Sequence, residues 1–168
     1  MMARTFAWIA CAALFACSGA KGFKTGSGLP TRYRSIAVPI FQNSTYDRQV
    51  GYQLTEAVQK RLQQSSSYAI VGEGSADTVL RGKVTKVELK QISQSLGTGL
   101  TEELGCTVTV DWEWIDMRTG KPIVAQNGFA SSGVAVASRP QAEPLDLARY
   151  QAVQRLAEDI VANMQADW

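Results

Sequence analysis

The 168-residue chain contains no histidine. That removes Ser-His-Asp and Cys-His catalysis, histidine general bases and most zinc sites. Carboxylates and cations remain as the residues that could do chemistry. Asp111 and Glu113 stand two apart in an alternating run, so both project from one strand face, and Glu102 lies shortly before them. Such acids could serve hydrolysis, and the same spacing also describes a solvated strand face. Arg81 and Lys83 likewise stand two apart, out of phase with Leu80, Gly82 and Val84, and Lys86 and Lys90 extend the cationic row. Clustered Lys and Arg bind phosphate and carboxylate through charge-assisted hydrogen bonds. On an exposed strand they also serve solubility and edge protection. Glu88 interrupts the row, and Asp111 and Glu113 are cross-strand partners that could consume its charge. There is no phosphate-binding glycine loop, nucleophile elbow or metal-ligand cluster. The sequence therefore predicts no enzyme, no cofactor and no metal, and a net charge of +2 gives no argument for nucleic-acid binding.

A different chemistry is written at the start. Arg4 precedes an apolar run from Phe6 to Phe15, closed by Leu14-Phe15-Ala16-Cys17 and then Ser18-Gly19. A run of roughly ten residues is too short for a hydrocarbon core that needs about twenty, so it reads as a signal-peptide core. The tetrapeptide resembles a bacterial lipobox, with Phe15 bulkier than its slot usually holds. That resemblance implies a signal at 1–16 and a Cys17 that carries acyl chains; an ordinary secretory cleavage near Ala16 or Ala20 is the alternative. Of the three cysteines, Cys11 falls in the signal and Cys17 at its end, which leaves Cys106 as a buried thiol. Residues 17–32 are small, polar and glycine-rich, the chemistry of a tether, and 33–168 form a single domain.

The elements that position the charged residues follow from periodicity. Arg34 to Phe41 is a short strand at an edge, or one that ends near Pro39. Asn43 to Asp47 is a turn and helix start. From about Arg48 to Gln64, Val50, Leu54, Ala57, Val58, Arg61 and Leu62 share one helical face. Tyr68 to Val71 is a short buried strand. Ala76 to about Ile92 is a long strand whose apolar phase shifts near Thr85, which predicts a β-bulge. A glycine-rich tip follows, and the segment from Ser93 to Glu103 is a second candidate surface. Leu104 to Trp114 alternates cleanly, with one face packed and one wet, and Ile123 to about Val136 returns antiparallel. A last helix spans about Leu145 to Gln165, with Tyr150, Val153, Leu156, Ala157, Ile160 and Met164 as its stripe. The expected fold is α+β: a two-layer sandwich whose four- to five-stranded, mostly antiparallel sheet carries both helices on one face.

Ile36-Ala37-Val38-Pro39-Ile40-Phe41-Gln42-Asn43-Ser44-Thr45 resembles the opening of the LptE family, the lipopolysaccharide-assembly lipoproteins. Leu54-Thr55-Glu56-Ala57 and Ala76-Asp77-Thr78-Val79-Leu80-Arg81-Gly82-Lys83-Val84 continue the match. The resemblance implies a lipid-anchored protein on the periplasmic face of the outer membrane, without catalysis. It further implies partnership with an LptD-like β-barrel, whose lumen it plugs, and aid in moving lipopolysaccharide to the surface. Ser18 after the cysteine agrees with outer-membrane sorting. Arg81, Lys83, Lys86 and Lys90 are then the candidate lipopolysaccharide-binding residues. The same opening also resembles lipoproteins that activate peptidoglycan synthases and those of curli secretion.

Overall fold

The computed structural model describes residues 29–94, 101–136 and 144–166. The signal, Cys17, most of the tether and the tip at 95–100 lie outside the described residues. Strands β1 (Ser35–Ala37) and β2 (Gln42–Asn43) precede helix α1 (Val50–Ser65). Strand β3 (Ala69–Ile70) leads through a 3₁₀ turn (Glu73–Ser75) into β4 (Thr78–Gln94), β5 (Thr101–Asp116) and β6 (Pro122–Val136). Helix α2 (Pro144–Ala166) ends the fold.

One six-stranded sheet results, in the order β3-β1-β4-β5-β6, with β2 also paired to β4. The three long strands are antiparallel as expected, whereas β1, β2 and β3 pair in parallel. The additional strand has a local cause. Pro39 has no N–H to donate, so pairing stops at Ala37 and resumes at Gln42 farther along the same neighbour. Strand β1 is thus not an edge: it lies between β3 and β4. The edge is β3, and its two residues are exposed or half-exposed rather than buried.

The bulge at Thr85 is present. Val84 pairs with Val110 and Lys86 with Thr109, which leaves Thr85 unmatched, its hydroxyl donating to the Thr109 carbonyl at 3.2 Å. Val87 and Leu89 therefore stand opposite Val108 and Cys106, on the same face as Leu80 and Val84.

Both helices pack on that face, leaving Leu89 towards its far end 51% exposed. Helix α1 buries Val50, Gly51, Leu54, Thr55, Ala57, Val58 and Leu62; Arg61 is instead half-exposed and faces Glu158 of α2 at 3.6 Å. Helix α2 buries Ala148, Ala152, Val153, Leu156, Ala157, Ile160, Val161 and Met164. Tyr150, expected in this stripe, is 55% exposed. The reason lies in β6, where a Cβ on Gly133 would stand 2.3 Å from the Ala148 carbonyl oxygen and 2.4 Å from the Ala152 nitrogen. The helix backbone rides directly on the strand, so only small side chains fit at the seam. Arg149 forms ion pairs with Asp146 and with Asp47, tying α2 to the entrance of α1.

Phe41, from the first quoted motif, occupies the centre of the other end. Its ring stands where a Cβ on Gly82 would be, 2.3 Å from that position, and its N–H donates to Thr55 Oγ1 at 2.9 Å. Asp77 takes hydrogen bonds from the Arg34 and Ser35 N–H groups, 2.8 and 3.0 Å, and from the Ser35 hydroxyl. Its own N–H donates to Ser35 Oγ at 2.9 Å, closing a two-way staple between β1 and β4. Leu29 is buried, and the Pro30 carbonyl accepts the Tyr68 hydroxyl at 2.7 Å. Packing therefore begins ahead of residue 33, within the expected tether. Cys106 is fully buried, and burial pushes its thiol up, out of the reactive range.

Candidate functional site on the open face of the hairpin

Because side chains alternate along a strand, the face opposite the helices receives the residues between the apolar ones. On β4 these are Arg81 and Lys83, then Lys86, Glu88 and Lys90 beyond the bulge. The extra residue at Thr85 resets the phase, so one row of charge runs the length of the strand instead of turning inward halfway. All four predicted cations are exposed. Strand β5 places Glu113 opposite Arg81 and Asp111 opposite Lys83. An open groove of about 510 Å³ lies over these four residues, with Gln42 on one side and Asn127 on the other.

Cross-strand pairing does not consume the row as the register alone would suggest. Arg81 turns to Glu73 in the 3₁₀ turn, with 3.5 Å between Nε and Oε1. Lys86 pairs along its own strand with Glu88 at 2.9 Å, and that hydrogen bond, helped by the nearby charges of Lys86 and Lys90, holds the Glu88 carboxyl below its ordinary value. Asp111 is used locally: its Oδ1 accepts the Gly128 N–H at 2.7 Å. Gly128 has φ of 66°, the left-handed conformation that a bulge in β6 requires at this point. Lys83 and Lys90 form no ion pair among the described residues. They are the cations on this face that an anionic ligand could engage without displacing a carboxylate.

The acids do not assemble a catalytic cleft. Asp111 and Glu113 lie in a shallow groove open to solvent, and no cluster of three or more His, Cys, Asp or Glu residues able to hold a metal occurs among the described residues. The segment from Ser93 to Glu103 falls largely outside the described residues.

A second groove, of about 360 Å³, was not predicted. It lies at the start of β4, lined by Arg32, Tyr33, Asp77, Asp116 and Arg118 among others. Asp116 is 7% exposed and accepts the Tyr33 hydroxyl at 3.0 Å and the Arg118 N–H at 2.9 Å. Burial raises its carboxyl, but these bonds and the Thr119 N–H outweigh burial and hold it below the usual range. The signal was in the sequence: Asp116 falls in the apolar phase of β5, after Trp112 and Trp114, and an acid there needs donors.

No curated protein matches the chain in sequence. The fold recurs in solved structures at low identity. Protein XCC0632 from Xanthomonas campestris superimposes with a TM-score of 0.56 at 11% identity, over 79% of this chain and 86% of that one. An uncharacterised lipoprotein B from Nitrosomonas europaea gives 0.52 at 12% identity, over 86% and 92%. The PelC dodecamer from Paraburkholderia phytofirmans gives 0.51 at 17% identity, over 84% and 94%. A profile of the family described as LptE, Lipopolysaccharide-assembly, matches residues 33–164, most of the chain. The chain belongs to the LptE lipopolysaccharide-assembly family, a family of non-enzymatic envelope lipoproteins.

Proposed function

We propose that the chain is an outer-membrane lipoprotein, anchored through acyl chains on Cys17 at the periplasmic face, that partners and plugs an LptD-type β-barrel and assists lipopolysaccharide transport. In this reading residues 1–16 are the signal, the segment after Cys17 is a tether, and the domain packed from Leu29 onward does the work. Two or three acyl chains, at about 0.8 kcal/mol per buried CH₂, would make the anchor durable.

The observation that carries the proposal is the cationic row of Arg81, Lys83, Lys86 and Lys90 on a sheet face that neither helix covers, in a chain of this family. Lipid A and its core sugars present phosphates and carboxylates, which Lys and Arg bind through charge-assisted hydrogen bonds. Lys83 and Lys90 lead this contact, since Arg81 and Lys86 already face Glu73 and Glu88.

Crosslinked pull-down of the tagged, lipidated protein from native envelopes, read by mass spectrometry, tests the partnership. A stoichiometric large outer-membrane barrel is the expected product. Recovery of a peptidoglycan synthase or a curli-secretion component in its place would transfer the protein to those lipoproteins. Cys17→Ala is expected to move the protein from membranes to the soluble periplasm; retention in membranes would remove the anchor from the proposal.

A further inference from the structure

The second groove opens at the end of the molecule where the chain from Cys17 arrives. Leu29 is buried, the Pro30 carbonyl accepts the Tyr68 hydroxyl, and the Tyr33 hydroxyl donates to Asp116 at the end of β5. Four exposed cations gather around this groove. Arg32 and Arg118 line it, and the Arg32 guanidinium stands 4.6 Å from the centre of the Tyr33 ring. The Arg34 N–H donates to Asp77, another lining residue. Lys121 is placed by the turn after β5, where its carbonyl accepts the Asp116 N–H at 3.0 Å and Gly120, with φ of 67°, reverses the chain. Arg34, Arg118 and Lys121 form no salt bridge among the described residues. The acids of the groove are taken up inside the fold. Asp77 Oδ2 accepts three hydrogen bonds from Arg34 and Ser35, and Asp116 accepts from Tyr33, Arg118 and Thr119. Met117, 41% exposed, adds an apolar side chain to the same end.

Position decides what this charge faces. Cys17 and Leu29 are twelve residues apart, at most about 40 Å of fully extended chain. Strand β4 alone, with 17 residues, runs about 55 Å away from this end. An anchor at Cys17 therefore keeps the start of β4 near its own leaflet, wherever the far end of the hairpin reaches. We propose that this end is a membrane-facing surface, on which Arg32, Arg34, Arg118 and Lys121 bind the phosphates of anionic phospholipid headgroups in the leaflet that holds the acyl chains. The inference rests on the anchor at Cys17 proposed above. A leaflet presents many phosphates in one plane, so cations carried by two separate segments engage together without a shaped pocket for each. Guanidinium groups take phosphate through paired hydrogen bonds, and the ammonium of Lys121 acts as a point charge. Basic residues beside a lipid anchor strengthen its hold and fix how the domain stands on the surface.

Fluorescence quenching in vesicles tests this on the full-length, lipidated protein. Thr119→Cys places a thiol on the exposed turn, and with Cys17 acylated and Cys106 buried it is the thiol that takes a fluorophore. In vesicles of phosphatidylethanolamine and phosphatidylglycerol, a phospholipid with a nitroxide headgroup should quench this label. A label at Gln91→Cys, exposed towards the far end of β4, should escape. Arg118→Glu with Lys121→Glu should cut the quenching at least about threefold, as should about 1 M salt, which screens charges beyond about 3 Å. Both side chains are exposed, so thermal unfolding should stay unchanged. Quenching that persists in the double variant, or that is equal in vesicles of phosphatidylcholine alone, overturns the proposal, because the tether then suffices. So does a label left unquenched in the anionic vesicles. Should the variant fail to fold, the salt and lipid series on the unaltered charges decides. Mass analysis of the N-terminal peptide separates the two levels. An unacylated Cys17 removes the anchor and this inference with it, whereas an acylated chain that is not quenched removes this inference alone.

Discussion

Two regions of this molecule carry its named residues, and they behave oppositely. Around Phe41 the pieces that resemble the family converge: its ring fills the space left by Gly82, its N–H is held by Thr55, and Asp77 staples β1 to β4. On the other face of β4, one residue away at each step, Arg81 and Lys83 are exposed. Within the stretches that resemble the family, the apolar and small residues together with Thr55 and Asp77 hold the sheet and α1 together. The candidate binding residues Arg81 and Lys83 alternate with them in the same stretch and point the other way. A family match of this kind reports packing first, and its ligand chemistry must be read from the intervening positions.

Removing the Phe41 ring should damage the fold most. Phe41→Ala, at a position 2% exposed, should cost roughly 3–5 kcal/mol, seen as a lowered denaturant midpoint. A change near zero would mean that the cluster is not what holds the fold. Gly82→Ala should cost about 1–3 kcal/mol, since the ring of Phe41 has to move off the new methyl. Combined with Phe41→Leu, its cost should shrink, because the two sites share one space; full additivity would show that the contact is not the cause.

Acid should probe the staple. The hydrogen bonds from the Arg34 and Ser35 N–H groups and the Ser35 hydroxyl hold the Asp77 carboxyl below its unfolded value, outweighing a smaller effect of desolvation. The folded state then binds fewer protons, so the stability Asp77 contributes is complete above about pH 4 and is lost as pH falls through its lowered value. Asp77→Asn should destabilise at neutral pH and flatten the acid limb of a circular-dichroism titration. An unchanged acid limb would assign that limb to other carboxylates. The smallest effect on stability belongs to the open face. Lys83→Glu with Lys90→Glu should leave stability within about 0.5 kcal/mol while reducing lipopolysaccharide retention more than Arg81→Glu with Lys86→Glu does. Equal losses from the two pairs would mean that the ion pairs to Glu73 and Glu88 do not restrain their cations.

Much of this was legible in the sequence because a period of two is hard to mistake. The three long strands, the bulge at Thr85, the buried Cys106 and the α+β class all follow from which positions are apolar. The failures share a cause: they depend on partners far along the chain. Tyr150 fits a helical stripe by spacing, but the stripe is set by Gly133, which lets α2 approach so closely that only alanines fit there. The parallel placement of β1 between β3 and β4 leaves no periodic trace, and the pairing of Arg81 with Glu73 depends on a 3₁₀ turn too short to announce itself. The cationic row was visible as a pattern, whereas the division between engaged and available cations required distances.

The unmatched residue at Thr85 also sets a rule for how the hairpin can change length. Residues added or lost in single steps beyond it would invert the distal half, moving Lys86 and Lys90 to the face of Leu80 and Val84, and Val87 and Leu89 to the open face. Matched pairs of residues in β4 and β5 would instead extend or shorten the arm and leave every row on its own side. The arm's reach can therefore drift in even increments while its wet and dry faces stay where they are.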